Sequence, residues 1–215
     1  MSPWQLVLFA CVDLAIVVGL FFGVSLPASR RKQEQLVCAV VKSISLRCPD
    51  YVEVVRYSVL ICNLMGEKLI LPPELCREME MAVKLRGIGL TTLPYDMLQP
   101  GQVHTWSLAS KYVFDRHPVA SQAMVSGIQM LKHLARLIQG LPTCVDDSNL
   151  SKEDLLARQI VTLACDYSWN FVWYGRLAAN EKFQVKHTTG SCGPLIQLLL
   201  QVLPSESEAA ISHPV

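Results

Sequence analysis

Residues 4–26 form a nearly unbroken apolar run, Trp4 to Leu26, interrupted by a single carboxylate, Asp13. No other stretch constrains the fold as strongly. As a helix it would be about 35 Å long at roughly 1.5 Å per residue, enough to cross a hydrocarbon core of about 30 Å. Asp13 near the centre costs about 2.5–3.5 kcal/mol on the insertion scale, but each Leu, Ile, Val or Phe returns about 0.3–0.6 kcal/mol. The sequence therefore predicts a transmembrane helix. No basic residue precedes it, and Arg30, Arg31 and Lys32 follow it. Basic flanks stay cytoplasmic, so the expectation is a single-pass protein with its N-terminus outside and its C-terminal domain cytoplasmic. A cleaved signal peptide would want a basic n-region and a small-residue cleavage site, and the chain has neither in good form.

The run has two faces. Cys11, Ala15, Gly19 and Gly23 recur every four residues, a small-residue stripe that lets two helix backbones approach. Asp13 points away from it and would meet a partner's polar group. Asp13, Ala15, Gly19 and Gly23 are thus the expected transmembrane assembly residues. Arg30, Arg31 and Lys32 would orient the helix and touch anionic lipid head groups.

The expected fold class is mainly α: one N-terminal transmembrane helix followed by one helical soluble domain. Residues 1–3 form a short outer segment, 27–203 the cytoplasmic helical domain, and 204–215 a disordered tail. Helical periodicity dominates the domain. Helices are predicted over 33–46, 51–65 and 74–86, the last with Pro73 in its first turn and Gly87 as its stop. Lys68 to Leu71 reads as a short strand. The glycines and prolines of 87–101 mark a hinge. A short helix is expected over 104–114 and a long one from Pro118 to Gln139, with Met124, Ile128, Leu131, Leu134 and Ile138 on one face. Ser151 and Asp154 resemble a capping box opening a helix of about 28 residues. Pro194 starts a last apolar helix.

Eight cysteines, one of them inside the apolar run, leave an odd number outside it with irregular spacing. That reads as free thiols in a reducing compartment. The formal net charge of +1 makes no electrostatic case for nucleic acid. Phosphate-loop, dinucleotide, HExxH, GxSxG and CxxC motifs are all missing. His104, His117, His133, His187 and His213 are scattered without metal-ligand spacing. No metal, cofactor or catalytic residue is therefore assigned, and the chain reads as a non-enzyme.

One aromatic cluster stands out. Trp169 and Trp173 lie four apart on a helix, with Tyr167, Phe171 and Tyr174 beside them. Core packing accounts for some of these rings. Trp169, Trp173 and Tyr174 also suit a docking surface. The expected function is a membrane-anchored structural or adaptor subunit, in a setting such as a bacterial secretion, conjugation or envelope complex. Its partners would be other membrane subunits, including a second copy, and a cytoplasmic protein. One rival is a thiol-dependent enzyme using Cys192 and His187 in the glycine-rich stretch 186–193. Another is a receptor-type signalling adaptor using Tyr57 or Tyr95.

Overall fold

The computed structural model describes residues 26–99, 101–139, 150–187 and 193–203. The chain is mainly helical, and no strand occurs among the described residues. It divides into two units, Met1–Ala39 and Val40–Val215. In the first, the described residues open helix α1 (Leu26–Ser45), with Arg30, Arg31 and Lys32 exposed on it. Residues 4–25, which hold Asp13, Ala15, Gly19 and Gly23, lie outside the described residues. Among the described residues no helix is long and apolar enough to cross a membrane.

In the second unit, α2 (Asp50–Lys68) carries Asp50 and Glu53 in its first turn and Lys68 in its last, as its dipole favours. Tyr51, Val54, Val55, Ser58, Ile61, Cys62 and Met65 form its buried stripe. The predicted strand Lys68 to Leu71 is instead the helix's C-terminal turn. Leu71 N–H donates to Gly66 O at 2.9 Å and Ile70 N–H to Glu67 O at 3.2 Å. Ile70 takes the left-handed conformation (φ 53°) that such an ending demands. The short apolar run looked like a strand because period alone cannot separate four residues of strand from a helix end.

Helix α3 (Pro73–Leu85) begins with proline in its first turn. Gly87 follows it, but its φ of −86° is not that of a left-handed stop. Gly87 is small because Tyr51 lies against it: an added Cβ would sit 2.1 Å from the ring. Residues 88–105 form three short 3-10 turns, Ile88–Thr92, Tyr95–Leu98 and Gln102–Thr105. The first packs on α5 (His117–Ser126). Gly89 N–H donates to Ser121 Oγ at 2.8 Å, and a Cβ at Gly89 would lie 2.1 Å from His117 O. That end of the expected hinge is a close backbone contact.

Helix α4 (Leu108–Asp115) is capped by Ser107, whose Oγ accepts from Ser110 N–H at 3.1 Å. The long helix expected over 118–139 is broken. It ends at Ser126, turns at Gly127, and resumes as a 3-10 turn (Lys132–Leu134) and α6 (Ala135–Ile138). Leu131, Leu134 and Ile138 are buried as expected, while the break leaves Met124 exposed.

Helix α7 (Lys152–His187) starts at the expected cap, with Asp154 N–H donating to Ser151 Oγ at 3.0 Å. It is interrupted at Gly175, where φ is 75° and ψ 174°. Its first part packs on α2, α3 and α6, and α8 (Gly193–Val202) closes on α2 and α7. Arg136 of α6 bonds both Glu78 of α3 and Asp154 of α7, joining three helices at one point.

Candidate functional site

Helix α7 presents Thr162, Asp166, Trp169 and Trp173 at intervals of four, three and four residues, so all four share one face. Opposite stand the corner between α4 and α5, the C-terminal end of α3, and Val103 and Trp106 of the connecting turns. Together they line a half-open cavity of about 480 Å³, a size common for small-molecule sites.

One wall is aromatic. Phe114 lies 4.9 Å from Trp106, 5.0 Å from Trp173 and 5.3 Å from Trp169, centroid to centroid. Trp106 meets Trp173 edge-on at 5.2 Å. Such ring pairs contribute about 0.5–1.5 kcal/mol beyond their buried area. Trp173 is fixed further by a hydrogen bond to Asp50. Burial raises the Asp50 carboxyl's pKa, and that bond offsets part of the rise. The Trp106 indole N–H is buried without an acceptor among the described residues. A buried donor left so costs about 1–3 kcal/mol.

The inner end is polar. Arg86, 4% exposed, donates from Nη1 to Ile138 O at 2.6 Å. Its Nη2 faces Asp166 Oδ1 at 3.8 Å, too far for a hydrogen bond. Beside it His117 is buried, with Nδ1 at 2.7 Å from Phe114 O. A carbonyl only accepts, so Nδ1 carries the proton and Nε2 keeps its lone pair. Burial, then the Arg86 charge, lowers the His117 pKa to about 4, so the ring is neutral near pH 7.

The mouth is basic. Lys111 and Lys182 both line the cavity and are exposed. The Lys182 ammonium lies 2.9 Å from the centroid of the Tyr174 ring. Its pKa is lowered, first by desolvation and then by repulsion from Lys111. The lining therefore includes three basic side chains, Arg86, Lys111 and Lys182, and two carboxylates, Asp115 and Asp166.

Of the residues expected to dock a partner, Trp169 is buried at 6% exposure, while Trp173 and Tyr174 are half-buried; all three line this cavity. Asp13, Ala15, Gly19, Gly23 and Cys192 lie outside the described residues, and His187 is the last residue of α7. Burial pushes the Cys48 thiol up to about 12 and Cys165 to about 11, so both stay protonated and unreactive. Tyr57 is half-buried against Phe171, ring centroids 4.4 Å apart, and Tyr95 is exposed. Sequence reasoning passed over Arg86, His117, Lys111 and Lys182. The signal that could have found the site is the α7 face, where a carboxylate and two indoles recur at helical spacing.

Among the described residues no group of three or more His, Cys, Asp and Glu side chains is placed to hold a metal ion.

Residues 39–160 match the family model described as the HD domain, more than half of the chain. No curated protein matches it. HD-domain proteins are typically metal-dependent phosphohydrolases, which points to an enzyme. This overturns the expected non-enzymatic structural or adaptor role in a secretion, conjugation or envelope complex. The matched stretch runs from the end of α1 into α7 and contains none of the short enzyme motifs sought in the sequence. On this match, the chain belongs to the HD-domain family.

Proposed function

We propose that this chain is a phosphohydrolase-type protein whose substrate, an anionic ester, binds in the cavity beside Arg86. The observation that carries this reading is the family match over 39–160. That segment contributes Arg86, Trp106, Lys111 and His117, and α7 completes the opposite wall.

The metal that such a family implies was set against the residues present. No described cluster offers three ligands, and no histidine in the chain is followed directly by aspartate. The inner end of the cavity instead holds a buried guanidinium, which would repel a divalent cation placed beside it. The donor set does not fit, and no step is assigned to a metal. His117 Nε2 is the neutral nitrogen available there to accept a proton.

The test is release of inorganic phosphate from aryl phosphates and nucleotides, with and without added manganese. Saturable release, reduced at least about a hundredfold in His117→Gln, supports the reading. Absence of release under both conditions contradicts it.

We also propose, from hydropathy and flanking charge, that residues 4–26 hold the N-terminus in a membrane with the domain on the cytoplasmic side. Release of the full chain from membranes by alkaline carbonate would count against it.

A further inference from the structure

Three observations about the cavity converge on one kind of ligand. Its deepest cation is a protein side chain: Arg86 is anchored through Nη1 to Ile138 O, and its Nη2 faces Asp166 Oδ1 at 3.8 Å. Its mouth sets two ammonium groups, Lys111 and Lys182, near enough to repel each other. An anion between them would relieve that repulsion. Its wall is built of indoles, Trp106 and Trp173, which meet edge-on at 5.2 Å.

We propose that the cavity binds an aromatic phosphate directly on protein cations, Arg86 inside and Lys111 and Lys182 at the mouth, with its ring against Trp106 and Trp173 and without a bridging divalent ion. This shares its cavity with the proposed hydrolysis but stands apart from it, because it concerns binding and the source of the positive charge. Guanidinium and ammonium groups pair with phosphate oxygens by charge-assisted hydrogen bonds. The indole faces supply stacking area. Asp166 and Asp115 oppose the anion, and the three basic groups outnumber them.

The experiment is a tryptophan-fluorescence titration of the full chain with phenyl phosphate in EDTA. Saturable quenching is expected. It should weaken about three- to tenfold in Lys182→Glu, an exposed site that leaves the core intact. It should weaken about tenfold or more in Arg86→Lys, which keeps the charge and loses the planar fork. Magnesium or manganese should not strengthen it, and phenol, which lacks the phosphate, should not reproduce it. Quenching only with a divalent ion present, or unchanged affinity in Lys182→Glu, would overturn the proposal. Binding in EDTA, with no phosphate release either with or without manganese, would sink the hydrolase reading and leave this one standing. Manganese-dependent release with no binding in EDTA would do the reverse.

Discussion

His117 and Gly87 show how single residues carry this fold. His117 is buried neutral, with a pKa lowered to about 4 from an ordinary 6.5. The unfolded chain therefore binds its proton first as pH falls. The stabilising contribution is complete above pH 6.5, declines between 6.5 and 4, and is exhausted below. The span corresponds to about 3 kcal/mol. Chemical denaturation at pH 7 and pH 4.5 should show a loss in the wild type that is clearly smaller in His117→Gln; equal losses would show that other groups govern acid sensitivity. Gly87 is held by sterics. Its Cβ position lies 2.1 Å from the Tyr51 ring, whose hydroxyl accepts from Gly87 N–H at 2.8 Å. Gly87→Ala should cost about 1–3 kcal/mol by overpacking, read as a lowered midpoint in thermal unfolding. The glycine itself was visible in the sequence. Its reason was not, because that reason sits on a tyrosine 36 residues earlier.

Helices were the most legible elements, and their ends and breaks the least. The starts at Pro73 and Ser151 follow from local chemistry and appear where the sequence sets them. The break after Ser126 and the interruption at Gly175 do not, because tertiary packing decides whether a helix continues. At Gly175, φ 75° with ψ 174° is a conformation open to almost no other residue, and nothing lies within 4 Å of an added Cβ. Gly175→Ala should thus cost about 1–3 kcal/mol through backbone strain alone, measurable by urea unfolding. It should also weaken ligand binding, since Lys182 lies beyond the break. The C-terminal turn of α2 makes the opposite case. Ile70 is 90% exposed and left-handed, so it gives up little packing. Ile70→Gly should stabilise the protein by about 1 kcal/mol, and a lowered melting temperature would refute the strain.

Across the whole molecule, the sequence disclosed a mainly helical chain and an aromatic face on α7, but not the cavity. The cavity draws Arg86 from the end of α3, Lys111 and His117 from around the α4–α5 corner, and Thr162, Asp166 and Trp173 from α7. No periodicity within one helix reveals such a meeting. Too many rings crowd α7 for one narrow core stripe, and the fold sets Trp169, Trp173 and Tyr174 along a half-open cavity. The most direct measurement is a nitrogen-resolved NMR titration of the tryptophan indole N–H signals with phenyl phosphate in EDTA. The Trp106 and Trp173 signals should shift as the ligand's ring settles against their indoles. Unmoved Trp106 and Trp173 signals at saturating phenyl phosphate would contradict the account.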